Sequence, residues 1–462
     1  MYDLIVIGSG PGGYVAAIRA SQLGMNTAVI EKAELGGVCL NWGCIPTKAL
    51  LKSVQALHYA QNHLDYGFII EGEIKPDLGK IVERSRNVAS GMSRGIEYLF
   101  KKNRVNVITG TGKITGAGRV EITGPDGEKS FAEAKNIIVA TGARAASLPF
   151  APVDGEKIIS YRHALVPEKL PESIAVIGSG AIGSEFAYFY RSMGCEVTIV
   201  EYLPSIVPLE DDEVSAQLSR SFRKMGIKIM TSAKVMGVDT SGSGCVLTVE
   251  GKKGEEKITA DLVLSAVGVI PNTENLGLEE CGVVTERGKI VVDRFFETNI
   301  KGIYAIGDVI ATPALAHVAS AEAICCVEKI AGLDAIPPDY DNIPACTYTT
   351  PEIASVGLTE RALKERGIEY KTGKFPFTAS GKASAAGERD GFVKLLIDKE
   401  SDKILGAHLI GANVTEMLSG IVVARKMGAT AKDLIHSIHP HPTMSEAIME
   451  AAASSHGEVI HI

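Results

Sequence analysis

The chain has 462 residues, 45% hydrophobic and 22% charged, the composition of a globular protein with material for about three domains. Its formal net charge of −8 and the absence of basic blocks speak against nucleic-acid binding, and no apolar run reaches membrane-spanning length. Eight cysteines are too few for a disulfide framework in a chain of this size.

The sequence opens Met1-Tyr2-Asp3-Leu4-Ile5-Val6-Ile7, directly into a strand with no charged leader, so a cytoplasmic location is expected. In that reducing setting a disulfide is transient and catalytic. The first strand runs into Gly8-Ser9-Gly10-Pro11-Gly12-Gly13, a helical stretch and a second strand, Ala28-Val29-Ile30-Glu31. Glycines at this spacing permit a tight turn, close backbone approach to a pyrophosphate and close packing of helix on strand. The pyrophosphate then rests on unpaired N–H groups at the positive helix end. Gly8, Gly10, Pro11, Gly12 and Gly13 are candidate dinucleotide contacts, and Glu31 can accept from a ribose hydroxyl.

Cys39 and Cys44 follow in the run Gly36-Gly37-Val38-Cys39-Leu40-Asn41-Trp42-Gly43-Cys44-Ile45-Pro46-Thr47-Lys48. A dithiol here lies where an electron carrier would be held, although the spacing alone is a weak signal. An unbroken helix would hold the two Cα atoms roughly 8–9 Å apart, beyond disulfide reach. Gly43 and Pro46 are the residues that let the chain tighten or start a helix late.

Next comes Asn136-Ile137-Ile138-Val139-Ala140-Thr141-Gly142, a strand leaving its sheet through small residues. The opening pattern then repeats at a constant offset. Ile174-Ala175-Val176-Ile177 leads into Gly178-Ser179-Gly180-Ala181-Ile182-Gly183 and, after a helix, Thr198-Ile199-Val200-Glu201. Glu201 favours NAD over NADP, because a carboxylate repels a 2′-phosphate and no arginine stands nearby to receive one. One chain seldom needs two nicotinamides, so FAD beside the dithiol suits the first site. Leu262-Val263-Leu264-Ser265-Ala266-Val267-Gly268 matches the earlier strand exit. A strand is expected over Thr298 to Asp308, with Asp308 placed to accept from flavin hydroxyls, and a helix over Ala319 to Ile330 containing Cys325-Cys326.

From about residue 345 the pattern turns α+β, with a strand at Gly391 to Ile397 and no nucleotide fingerprint. It ends in His439-Pro440-His441-Pro442-Thr443-Met444-Ser445-Glu446. Further metal ligands are lacking, so no metal is expected. Thr443 is expected to cap a helix, with Glu446 about one turn in. A carboxylate there can hold the His441 imidazole in one tautomer and stabilise its protonated form.

In order and over almost all its length, the chain resembles the flavin-dependent pyridine nucleotide–disulfide oxidoreductases, and within them the lipoamide-oxidising branch. The resemblance rests on the cysteine segment, Thr141-Gly142, Gly307-Asp308 and Pro440-His441-Pro442-Thr443-Met444-Ser445-Glu446. It implies a redox-active Cys39–Cys44 disulfide, Cys39 attacking substrate and Cys44 facing the flavin. It also implies a His441–Glu446 dyad, Lys48 near the flavin N5 with Glu185 as ion-pair partner, and Ala314, Leu315, Ala316 and His317 beneath the flavin ring. Lys32, Gly37 and Gly112 join the implied FAD contacts. Ala181, Ile182, Glu185, Val235 and Gly268 join Gly178, Gly180, Gly183 and Glu201 on the NAD side. Protonated His441 and Lys48 are expected to lower the cysteine pKa values. Trp42, Val269 and Ile270 depart from the usual pattern, and Ala181 stands where glutathione-type reductases carry a flavin-shielding tyrosine.

The expected fold is α/β, two Rossmann-like dinucleotide-binding domains (FAD and NAD) plus a C-terminal α+β dimerisation domain. The expected boundaries are 1–148 and 272–344 for FAD, 149–271 for NAD and 345–462 for the interface. A homodimer is implied, serving lipoyl domains of 2-oxo acid dehydrogenase acyltransferases or a glycine cleavage carrier protein, with no nucleic acid or membrane partner. The competing readings are a mercuric or glutathione reductase and a non-enzymatic nucleotide-binding redox sensor. The tail, His456 to Ile462, lacks the vicinal cysteines of the mercuric type, and Glu201 stands where the glutathione type needs arginine. A sensor has no need of a dithiol and a His–Glu dyad together.

Overall fold

A computed structural model describes residues 1–252 and 254–462. The chain forms two compact units, the first from Met1–Leu50, Asp77–Ala146 and Gly268–Pro338, the second from Leu51–Pro76, Ser147–Val267 and Asp339–Ile462.

In the first unit five parallel strands lie in the order Asn106–Thr109, Thr27–Glu31, Tyr2–Ile7, Lys129–Val139 and Ile303–Ala305. Leu4, Ile5, Val6, Ala28, Val29, Ile137, Ile138 and Val139 are wholly buried, as β-branched runs are when both faces of a parallel sheet are covered. Thr111–Gly116 and Arg119–Thr123 extend the sheet as an antiparallel meander from Lys129–Val139. Helix Pro11–Gln22 begins with proline, whose missing N–H costs nothing at that position. Its Gly12 abuts the helix Ala316–Ile330: an added Cβ would lie 3.3 Å from Ala319 O. The strand expected over Thr298 to Asp308 shrinks to Ile303–Ala305. Thr298 Oγ1 accepts from Ile300 N–H at 3.1 Å and Gly302 takes a φ of 81°, so local turn bonding displaces the ladder.

The second unit repeats the parallel order with Lys228–Met230, Glu196–Val200, Ser173–Ile177, Leu262–Ser265 and Ile158–Ile159. Beside it stands an antiparallel sheet of Lys234–Asp239, Cys245–Gly251 and Gly254–Ala260. A five-stranded antiparallel sheet follows, ordered Pro344–Thr347, Glu352–Gly357, Ile404–Gly411, Phe392–Asp398 and Tyr370–Pro376. Helices Val414–Lys426 and Glu446–Ser454 bury Leu418, Ile421, Ala447 and Ala451 in the same core as Val393, Leu395, Ala407 and Leu409 of that sheet. Across four adjacent strands runs a polar row, Ser355, His408, Lys394 and Lys374. Asp211, the N-cap of helix Asp212–Lys224, meets this row, with Lys394 Nζ 2.9 Å from Asp211 Oδ1, 2.9 Å from Glu213 Oε1 and 2.7 Å from Glu360 Oε2.

Candidate active site

The first glycine loop is built as a phosphate cradle. Gly8 has a φ of 101°, and a Cβ on Gly13 would lie 1.9 Å from Gly8 O, so neither position admits a side chain. Gly10 has open space where its Cβ would be, and no side chain caps the helix it precedes. Glu31 is held by Ser9, whose N–H and hydroxyl donate to Oε2 at 2.8 and 2.7 Å, and by Ala33 N–H, which donates to Oε1 at 2.9 Å. Lys32 is exposed beside it, and Gly112 packs between Ile7 and Ile30 behind the same strand ends.

The dithiol segment sits directly on this loop. Gly36 N–H donates to Ser9 O at 3.1 Å, and a Cβ on Gly37 would be 2.7 Å from Gly10 Cα. Cys39 lies in the short helix Gly37–Asn41 and Cys44 opens the helix Cys44–Gln61. Trp42 breaks the path between them with φ −137° and ψ 15°, so the separation of an unbroken helix never applies. A Cβ on Gly43 would approach Val38 O to 3.0 Å, which explains the glycine. Neither cysteine is in a disulfide here, and a side-chain hydrogen bond joins the two. That bond and burial push the Cys39 thiol well up, outweighing the downward pull of the Lys48 charge. Within one chain the Lys48 charge alone therefore does not depress Cys39, because in the dithiol state its proton is shared with a second sulfur. Tyr14, on the glycine-loop helix, is raised by burial and by the two thiols, which places it beside the pair.

The other strand exits face the same region of this unit. Thr141 and Gly142 are clamped by Asn272: Thr141 Oγ1 donates to Asn272 O at 2.6 Å and Asn272 N–H to Gly142 O at 2.8 Å. Asp308 is half-buried in the turn Gly307–Val309, and burial raises its carboxyl. Gly307 N–H donates to the buried Glu322 at 2.7 Å. Ala314 and Leu315 lead into the helix Ala316–Ile330, which opens with Ala316 and His317 and which no side chain caps. Between them and Asp308, the buried hydroxyl of Thr312 has no partner among the described residues. Cradle, acidic strand tip, open glycines and an orphaned hydroxyl together fit a flavin dinucleotide. Cys325 and Cys326 are buried in the same helix and raised by burial, so they offer no second reactive pair.

The second glycine loop, in the other unit, repeats the design. Gly178 has a φ of 94°, a Cβ on Gly183 would be 2.1 Å from Gly178 O, and Gly180 is open. Glu201 accepts from Ser179 N–H and hydroxyl at 2.9 and 2.6 Å and from Leu203 N–H at 2.8 Å. Ala181 and Ile182 start the helix Ala181–Ser192. Val235 is a buried core residue of Lys234–Asp239. These residues fit a dinucleotide with a free 2′-hydroxyl. Glu185 is buried and accepts from Tyr348 N–H at 3.0 Å. In the first unit, Gly268 has open space at its Cβ, and the half-exposed Val269 and Ile270 pair with Ala145 and Arg144.

His441 Nδ1 lies 2.8 Å from Glu446 Oε1, and the His441 side chain is 78% exposed, which leaves Nε2 for a reacting proton. Glu446 Oε2 also accepts from Thr443 N–H at 2.8 Å. Burial would raise the Glu446 carboxyl, but these two bonds hold it below its usual range. The helix begins at Glu446 with Ser445 as its N-cap, correcting the expected cap at Thr443. Thr443 Oγ1 instead donates to Pro440 O at 2.9 Å. His439 Nε2 lies 3.3 Å from Leu434 O.

Ser9, Ser179, Asn272 and Tyr14 escaped the sequence reading. The serine inside each glycine loop was the available signal, since both loops share it. Asn272 carries no local pattern.

Known proteins supply the remaining comparison. Residues 2–323 match the family model described as pyridine nucleotide-disulphide oxidoreductase, and 343–452 match that family's dimerisation domain. The dihydrolipoyl dehydrogenase of Rhizobium etli is 49% identical over 100% of this chain and 99% of its own. The mitochondrial dihydrolipoyl dehydrogenase of Pisum sativum is 44% identical over 100% of this chain and 92% of its own. The crystal structure of LpdA from Mycobacterium tuberculosis superposes with a TM-score of 0.90 at 30% identity, covering 97% of this chain and 98% of that one. Doubled glycine loops, a dithiol seated on the first of them and a C-terminal His–Glu pair thus occur in a chain that belongs to the pyridine nucleotide-disulphide oxidoreductase family.

Proposed function

We propose that this chain is a dihydrolipoamide dehydrogenase, oxidising protein-bound dihydrolipoamide through the Cys39–Cys44 disulfide with FAD and NAD. The observation that carries the reading is the dithiol pressed onto the first dinucleotide loop, in a chain whose full-length relatives bear that activity.

Reduced lipoamide loses a thiol proton to His441 Nε2, and Glu446 stabilises the imidazolium. The substrate thiolate attacks Cys39 Sγ, the disulfide breaks and Cys44 leaves as thiolate. The second substrate thiol then attacks the mixed disulfide, releasing oxidised lipoamide and leaving the Cys39–Cys44 dithiol. FAD held at the first glycine loop and NAD at the second would supply the acceptor chemistry for that electron pair. Ser9 holds Glu31 and Ser179 holds Glu201 in position to accept from the cofactor riboses.

The substrate-bearing partners are lipoyl domains of 2-oxo acid dehydrogenase acyltransferases or a glycine cleavage carrier protein. The chain carries the family's dimerisation domain, and we assign it a homodimer in which His441 of each subunit completes the other's dithiol site, in the cytoplasm. Among the described residues no helix is long and apolar enough to cross a membrane. The proposed domains are 1–148 and 272–344 for FAD, 149–271 for NAD and 345–462 for the interface.

Turnover of dihydrolipoamide with NAD is the test, run beside reduced glutathione and NADP. The purified protein should be yellow, with one FAD per chain, and should prefer lipoamide and NAD. A colourless protein, or one faster with glutathione, removes the assignment.

A further inference from the structure

Three consecutive residues of the helix Leu78–Lys102 bond carbonyls of the dithiol segment. Arg84 Nη1 donates to Ala49 O at 2.7 Å, Ser85 Oγ to Pro46 O at 2.9 Å and Arg86 Nη1 to Asn41 O at 2.5 Å. Arg86 also places its guanidinium carbon 4.2 Å from the centroid of the Trp42 ring, within range of cation–π attraction. Asn41 is buried and fully engaged. Its amide donates to Leu35 O at 2.9 Å and Gly37 O at 3.1 Å, and its Oδ1 accepts from Ser93 Oγ at 2.8 Å.

Asn41 ends the helix that carries Cys39, and Trp42 is the break before the helix that opens with Cys44. Arg86 therefore grips both residues at the hinge between the cysteines, one by its backbone and the other by its ring. We propose that Arg86, acting through Asn41 O and the Trp42 ring, is a positioning residue that holds the two reduced thiols at closure distance and so favours the disulfide. The physical reason is preorganisation: a dithiol already held close loses little freedom when the bond forms. Once the S–S bond exists it fixes the spacing by itself. Releasing the clamp thus frees the dithiol more than the disulfide and moves the couple toward the dithiol. The inference rests on the proposed redox role of Cys39 and Cys44.

The test equilibrates the holoenzyme anaerobically over a series of oxidised-to-reduced dithiothreitol ratios, then alkylates free Cys39 and Cys44 and counts them by mass spectrometry. Closure breaks two cysteine S–H bonds and the S–S bond of oxidised dithiothreitol. It forms the Cys39–Cys44 bond and leaves reduced dithiothreitol, so two electrons and two protons balance. Arg86→Met keeps a stem of similar length without the guanidinium and should shift the equilibrium toward the dithiol roughly three- to tenfold, the upper figure being about 30 mV. Arg86→Lys can still donate to Asn41 O but cannot stack as a plane, and should fall between. Trp42→Leu should shift the couple in the same direction, and the double variant should add little to either single change. Flavin content and far-UV circular dichroism report the fold; if Arg86→Met does not fold, Arg86→Lys and Trp42→Leu carry the test. An unmoved midpoint in folded variants overturns the positioning role, and fully additive shifts overturn the shared path through the stack. A wild-type protein that forms no Cys39–Cys44 disulfide at any ratio overturns the redox reading itself, which separates the two failures.

Discussion

At the scale of single residues, the decisive groups are those whose surroundings set their protonation. Glu446 holds His441 Nδ1 at 2.8 Å and is itself pinned by Thr443 N–H, so it orients the imidazole without needing burial of the pair. Glu446→Gln can keep only one of these two hydrogen bonds and removes the charge that stabilises imidazolium, and lipoamide turnover should fall on the order of a hundredfold. Stopped-flow reduction of the disulfide by dihydrolipoamide reads this directly, and an unchanged rate would remove the dyad from the mechanism. Glu210 makes the opposite case. It is buried with one carboxylate oxygen unpartnered among the described residues, and burial pushes its carboxyl up to about 7, against a hydrogen bond from Ser355. A carboxyl raised in the folded state binds its proton more tightly there than in the unfolded chain. Stability from this group is therefore full below the unfolded value and declines as pH rises from about 4.5 to about 7. Glu210→Gln should raise stability at pH 8 by on the order of 2–3 kcal/mol and change it little at pH 4. Denaturant midpoints at the two pH values measure it.

At the scale of elements, each dinucleotide loop depends on a strand and a helix meeting without side chains between them. A Cβ on Gly183 would lie 2.1 Å from Gly178 O, so Gly183→Ala must push the helix Ala181–Ser192 off its strand. NADH affinity should fall at least tenfold while flavin stays bound, because the first loop is a separate construction. Titration of NADH against the yellow protein checks both halves of that statement. Glu201→Arg tests the same loop from the ribose side. It removes the carboxylate that Ser179 and Leu203 hold and should turn the NADH-to-NADPH preference toward NADPH. An unaltered ratio would mean that Glu201 only closes its own loop. The two glycine patterns were legible because they need little more than local chemistry. The strand expected over Thr298 to Asp308 was not, since Thr298 and Gly302 close a local turn that competes with the ladder. The cap expected at Thr443 failed for a similar reason, its hydroxyl being turned back to Pro440 O.

At the scale of the whole molecule, Cys39 and His441 belong to different compact units, and the proposed chemistry joins them across a twofold axis. Mixing inactive Cys44→Ser and His441→Ala proteins under subunit exchange should restore up to roughly a quarter of wild-type activity, since half the dimers are hybrids with one intact site. Verified exchange without recovery would place the two residues in separate functions. The sequence by itself determined the doubled glycine loops, the acidic strand tips, the dithiol and the His–Glu spacing, because each is a short-range requirement of backbone geometry or charge. Tertiary structure alone decided what holds them. Ser9 and Ser179 reach carboxylates 22 residues away, Asn272 clamps Thr141 from 131 residues away, and Arg86 closes on Asn41 from 45 residues away. It also decided that Cys39 is raised rather than lowered, because a thiol's pKa follows from the atoms packed around it, and no pattern along the chain records which atoms those are.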